Sequence, residues 1–146
     1  MCNFDEERVE KLLSALQRWS DGNASIKGLA LVGSWGDEDR QHAEADADLI
    51  LIVDEPDAFR SRSDWMEEID WKLAGLGPGH WSECDYGGVC SRHLKFADGA
   101  EIEVSFVGED WASIAPIHPA TRRMAGNGMR VVHDPDGLLG RLLTAL

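Results

Sequence analysis

The sequence predicts an α/β (α+β) fold in which a small mixed β-sheet is flanked by helices. Two short apolar runs, 28–32 and 49–53, are bounded by turn residues, as buried strands are. A third run, 101–107, alternates polar with apolar residues, which is typical of a strand with one buried face. Residues 4–19 instead repeat apolar side chains at helical spacing, so we expect a leading helix packed against the first strand, whose expected bounds are 26–32.

The rest of the chain is predicted to add short elements to one domain that spans residues 1–146. The further elements are expected to be a helix over about 57–75, an irregular segment over 80–88, a strand over 89–96, a short strand over 129–133 and a final helix over 138–143. The run Asp134–Gly137 has the composition of a helix start and should cap the last helix. A hairpin at 97–100 should join two of the strands.

The acidic composition excludes one class of partner. The chain has 27 acidic side chains against 14 lysines and arginines, a net charge of −13. General nucleic-acid binding needs a basic face that displaces counterions, so we do not expect it.

No apolar stretch approaches the length of a membrane span, and the N-terminus lacks a signal-peptide pattern, so no membrane contact and a cytoplasmic location are expected. The odd number of cysteines, 3, fits a reducing compartment.

The stretch 28–53 carries the main functional signal. Its first apolar run ends at Gly33 and Ser34, and its second follows Asp46 and Asp48. Residues two apart on a strand share a face, so these aspartates, about 6.6 Å apart at Cα, can reach one cation. Two like charges so close favour a cation such as Mg²⁺ between them, and small residues at 33–34 would let backbone N–H groups approach a phosphate. Without the Gly-Ser turn, acids that merely face solvent would be the simpler interpretation.

These motifs resemble the signature of the DNA polymerase β-like nucleotidyltransferase superfamily. That signature is a strand ending in Gly-Ser, a spacer, Asp-x-Asp at the start of the next strand, and a third acid on a later strand. Glu103, between Ile102 and Val104, supplies the third acid, and Glu101 on the same strand face stays an alternative. The resemblance is closest to small bacterial nucleotidyltransferase-domain proteins and covers most of the chain, so it implies the nucleotidyltransferase fold.

The resemblance also implies a reaction and its residues. Asp46, Asp48 and Glu103 would be catalytic and would bind Mg²⁺, with Mn²⁺ as a substitute. Gly33 and Ser34 would bind the phosphates of an NTP, with ATP the expected donor. The implied reaction moves a nucleoside monophosphate to a hydroxyl of a small molecule or of a protein, and a protein partner or a homo-oligomer is compatible with it.

The loop after Ser34 departs from the commoner family pattern. Relatives often place a small residue and then Arg-Gly there, whereas this chain has Trp35-Gly36-Asp37-Glu38-Asp39-Arg40. The added acids would repel a triphosphate unless Arg40 replaces the missing cation. The alternative is therefore a binding module with weak or no activity, such as an antitoxin-type partner protein. Arg122 and Arg123 are either a further phosphate-binding pair or a plain surface pair.

A zinc site is a weaker alternative elsewhere in the chain. His80, Cys84, Cys90 and His93 are zinc-compatible side chains close together in sequence. Their spacing lacks the Cys-x-x-Cys element of structural zinc sites, and two of them would lie on opposite faces of a strand. We therefore do not expect zinc there.

Overall fold

A mixed β-sheet is the centre of the structure. The structure is a computed structural model that describes residues 6–32, 47–61, 64–76, 79–86, 89–96, 100–126 and 128–146. The strands are β1 (Ile26–Val32), β2 (Ala47–Val53), β3 (Gly79–Tyr86), β4 (Val89–Phe96), β5 (Glu101–Val107) and β6 (Arg130–His133). They lie in the order β3-β4-β5-β2-β1-β6. β2 and β5 pair in parallel, and the other neighbouring strands pair antiparallel.

Helices cover both faces of this sheet. The α-helices are α1 (Glu6–Asp21), α2 (Pro56–Arg60), α3 (Asp64–Glu68), α4 (Pro119–Ala125) and α5 (Leu138–Ala145), and 3₁₀ helices lie at Trp71–Ala74 and Glu109–Ala112. One core lies between the sheet and α1, α2 and α3. A second core lies on the opposite face, against α4, α5 and the 3₁₀ helix that follows β5. The predicted fold class, a mixed sheet flanked by helices, is confirmed.

β2 shows why both faces need a cover. Leu49, Leu51 and Val53 belong to the first core, and Ile50 and Ile52 belong to the second. These side chains are at most 2% exposed, because successive residues of a strand point to opposite faces and both faces are covered here. A strand buried on both sides reads as an unbroken apolar run, which is the pattern that the sequence carries at 49–53.

The prediction of one continuous helix over 57–75 is wrong. The segment instead forms α2, α3 and a 3₁₀ helix. Side chains take carbonyls that a continuous helix would pair with backbone N–H groups: Ser61 Oγ donates to the Ala58 carbonyl at 2.9 Å, and Trp71 Nε1 donates to the Met66 carbonyl at 2.8 Å. The aromatic rings nevertheless stay together, with Trp65 packed 5.3 Å from Phe59 between ring centroids.

The prediction of an irregular segment over 80–88 is also wrong. β3 occupies most of it and pairs with β4 from Gly79 opposite Phe96 to Tyr86 opposite Val89. The pairing with β4 supplies the backbone hydrogen bonds, so a weak local pattern suffices for this strand. The helix α4 was not expected either. Its signal is Pro119, since proline favours the first position of a helix.

The other expected elements agree with the structure within a few residues. The predicted 101–107 strand and the first strand, 26–32, have the expected bounds, and α1 begins at Glu6, with residues 1–5 outside the described range. The short strand begins at Arg130, and α5 extends to Ala145. β4 and β5 pair antiparallel, as the two strands of the expected hairpin should, and residues 97–99 of its connection lie outside the described range.

The start of α5 is capped by one side chain. Asp134 Oδ1 accepts a hydrogen bond from the Leu139 N–H, and Asp134 Oδ2 accepts one from the Gly140 N–H, each at 2.9 Å. These N–H groups have no acceptor within the helix, so the carboxylate satisfies them and meets the positive end of the helix dipole. The expected cap is confirmed, and it orients Leu139 and Leu142 into the second core.

Removal of this cap gives a first test of the fold. Asp134→Ala should lower the free energy of unfolding by about 1 kcal/mol, because two N–H groups lose their acceptor. Urea unfolding followed by circular dichroism measures the change. Asp136→Ala is the matched control, since within the described part of the chain the exposed Asp136 side chain makes no such bond. Equal losses in the two variants would contradict the cap.

Candidate functional site

A cleft of about 280 Å³ lies where β1 ends and where β2 begins. Its wall includes Val32 at the end of β1, Asp48 at the start of β2, and Glu103 and Ser105 on β5. Arg123 of α4 lines the same cleft from the helical side. Strand ends are stable positions for polar side chains, because the adjacent sheet holds their backbone while the side chain reaches water.

Asp48 and Glu103 lie directly beside each other in the parallel pair of β2 and β5. Neighbouring strands are about 4.8 Å apart, so the two side chains leave the sheet at that separation. Both are half-buried and both line the cleft. Leu49 and Val104, the next residues along each strand, belong to the core on the opposite face, so strand alternation directs the two acids to one face. Two carboxylates at this spacing repel each other and favour a cation between them.

Glu101 and Glu103 differ in their partners although they share a strand face. The Glu101 carboxylate lies 3.2 Å from His93 Nε2 and 3.8 Å from Lys95 Nζ, both on β4. Among the described residues, no hydrogen bond or ion pair of the Glu103 side chain is found. Glu101 is thus held on the β4 side, and Glu103 is the glutamate of β5 that lines the cleft with Asp48.

Ser105 continues the cleft wall on β5 and is joined to β4 by a buried contact. Its Oγ lies 2.9 Å from the Oγ of Ser91, which is its register partner. A buried hydroxyl needs such a partner, because an unsatisfied one costs about 1–3 kcal/mol. The pair therefore fixes β4 against β5 next to the residues that carry the charges.

Arg123 reaches the cleft because α4 is anchored on the second face of the sheet. Thr121 is fully buried, and its Oγ1 donates to the Trp111 carbonyl at 2.6 Å. Ala125, one helical turn further, is also buried, so the exposed Arg123 lies over the open part of the sheet. The sequence did not distinguish Arg122 from Arg123. In the structure, Arg123 lines the cleft and Arg122 does not.

Several expected site residues lie outside the described part of the chain. These are Gly33, Ser34, Arg40 and Asp46, so their placement stays a prediction. The side chains of three members of the zinc alternative, His80, Cys84 and Cys90, are likewise outside it. In the ranges that the structure does describe, no group of three or more histidines, cysteines or acids has a metal-binding arrangement, so Asp48 and Glu103 stand as a pair.

The different surroundings of the two glutamates can be tested by the same substitution at each. Without divalent cations, Glu103→Gln should raise the free energy of unfolding by about 0.5 kcal/mol, because repulsion from Asp48 is removed. Glu101→Gln should lower it by a similar amount, because the contacts with His93 and Lys95 weaken. Urea unfolding in EDTA at low salt measures both changes, with Glu67→Gln as the control, because the Glu67 side chain is exposed on α3. Shifts of the same sign at positions 101 and 103 would contradict this difference.

The sequence and the fold were compared with known proteins. No protein-family model and no curated protein matches the sequence. Among solved structures, an aminoglycoside 6-adenyltransferase from Bacillus subtilis is similar, with a TM-score of 0.47 and 14% sequence identity over 75% of this chain and 37% of that chain. This chain thus spans little more than a third of that structure, and the likeness concerns the fold. None of the described helices is both long and apolar enough to cross a membrane.

Proposed function

We propose that this chain is a Mg²⁺-dependent nucleotidyltransferase that moves a nucleoside monophosphate from an NTP to a hydroxyl of a small molecule or a protein. The observation that carries the proposal is the placement of Asp48 and Glu103 side by side in one cleft, with Arg123 on its wall. Two acids and one guanidinium in a cleft suit a triphosphate with its metal, because the acids hold the cation and the guanidinium meets the phosphate.

The two acids fit a divalent cation by their chemistry. Mg²⁺ prefers oxygen ligands and is usually held by one or two carboxylates, with water and phosphate completing its shell. Asp48 and Glu103 supply this pair of carboxylates, and Asp46, the first acid of the Asp-x-Asp motif, is proposed as an additional ligand. Bound Mg²⁺ would neutralise charge on the phosphates and make the acceptor hydroxyl easier to deprotonate.

The protein groups then act on the two substrates. Arg123 would hold the phosphates from the helical side, with Gly33, Ser34 and Arg40 proposed as their further partners. The acceptor oxygen attacks the α-phosphorus of the NTP, a new P–O bond forms, and the bond to the leaving pyrophosphate breaks. Glu103 would accept the proton of the attacking hydroxyl, since it lies on the cleft wall toward β4.

The metal proposal predicts a change in thermal stability. Mg²⁺ or Mn²⁺ at millimolar concentration should raise the melting temperature, because a ligand that binds only the folded chain stabilises it by mass action. Asp48→Asn should weaken this response, because the site loses one of its charges. Differential scanning fluorimetry measures the shift, with Asp57→Asn as the control, because the Asp57 side chain is exposed on α2. A melting curve that neither cation moves would count against the metal site.

The transfer reaction predicts different defects for different residues. Asp48→Asn should abolish transfer of labelled nucleotide, whereas Arg123→Met should mainly raise the KM for the NTP, because the guanidinium binds phosphate before and during the reaction. Arg122→Met is the matched control, an exposed neighbour that does not line the cleft. The assay offers all four NTPs, with ATP the expected donor, and candidate acceptors that include aminoglycosides and copurifying proteins.

Two outcomes of this assay would change the proposal. Equal labelling by the wild type and Asp48→Asn would mean that Asp48 is not catalytic. Metal and nucleotide binding without labelling of any acceptor would favour the binding module, in which the fold serves a protein partner and not a reaction.

A further inference from the structure

His93 contacts a residue that is not its directly opposite partner in the sheet. It lies directly opposite Glu103 in the antiparallel pair of β4 and β5. Directly opposite side chains start about 5 Å apart, whereas diagonal neighbours start about 7–8 Å apart. His93 Nε2 nevertheless lies 3.2 Å from the carboxylate of Glu101, its diagonal neighbour. The imidazole thus spans the longer distance to Glu101, while Glu103 lines the cleft.

The contact is also partly shielded from water. The side chains of His93 and Glu101 are 27% and 30% exposed, against 56% for Lys95, which approaches the same carboxylate. Partial burial strengthens an ion pair or hydrogen bond relative to one on the open surface. The Ser91–Ser105 contact lies one step along the same face and fixes the two strands in this register.

Glu101 would be able to reach the cleft if it were released. Residues two apart on a strand are about 6.6 Å apart, so Glu101 and Glu103 leave β5 on one face at that spacing. A glutamate side chain with free rotation can lean along the strand and bring its carboxylate beside that of its neighbour. The contacts with His93 and Lys95 hold it on the β4 side instead.

We infer that His93 is a positioning residue, which holds Glu101 out of the cleft so that Glu103 is the glutamate of β5 that faces Asp48. This inference rests on the proposed function. The number of carboxylates in the cleft decides which cation it prefers, because Mg²⁺ keeps several waters and takes few carboxylates, while Ca²⁺ accepts more oxygen ligands in looser geometry. His93 would thereby keep the site suited to Mg²⁺ and leave room for the acceptor hydroxyl beside Glu103.

The test measures Mn²⁺ and Ca²⁺ binding to purified protein by isothermal titration calorimetry. His93→Ala releases Glu101, so it should bind both cations several-fold more tightly than the wild type, with the larger gain for Ca²⁺. Glu101→Gln and the double variant H93A/E101Q should bind like the wild type, because neither has an additional carboxylate to offer. His93→Gln should also stay close to the wild type, because its amide can still donate a hydrogen bond to Glu101.

A second release variant keeps the test valid if His93→Ala does not fold. His93→Asn stays polar but its shorter side chain falls short of Glu101, so it should show the same gain in affinity. The first contrary outcome is that His93→Ala and His93→Asn bind the cations no more tightly than the wild type, while the wild type still binds them more tightly than Asp48→Asn. This outcome would overturn the role of His93 and leave the proposed function in place. Equal binding by the wild type and Asp48→Asn would overturn the proposed function, and the inference with it.

Discussion

The parallel pairing of β2 with β5 is the constraint on which the rest of the site depends. It places Asp48 beside Glu103 at the start of both strands. The register cannot slip by one residue, because that would turn Leu49 and Val104 out of the first core and bring the acids into it. Burial of these strands therefore fixes the position of two charges that repel each other, and hydrophobic packing supplies the free energy that holds them together.

Partial cover of the second face turns this pair into a cleft. α4 and α5 pack over β1, β2 and the end of β5, while on this face β4 and the start of β5 carry polar side chains. The buried Thr121 ties α4 to the segment after β5, and the same short helix carries Arg123 to the cleft wall. Thr121, which anchors α4, and Arg123, which lines the cleft, thus lie two residues apart on the same helix.

β4 is held from both sides at adjacent positions. On the covered face, the guanidinium of Arg92 is buried and lies 4.0 Å from the centroid of the Trp81 ring and 5.6 Å from those of Trp65 and Phe106. Such a cation between aromatic faces gains from their quadrupoles and packs like a flat ring. On the open face, the next residue, His93, contacts Glu101. The strand next to β5, whose residues line the cleft, is therefore firmly positioned, which suits a site that needs its acids in fixed places.

The sequence by itself determined the faces of the strands, the capped start of α5 and the acids that two strands would present, because alternation and capping depend on residues close along the chain. The strands 26–32 and 101–107 and the shared face of Glu101 and Glu103 could all be predicted in this way. The tertiary structure alone decided between the two glutamates, because it places Glu103 beside Asp48 and holds Glu101 on the β4 side, and it alone brought Arg123 to the cleft. These outcomes depend on strand register and on contacts between residues far apart in sequence, which local periodicity does not encode.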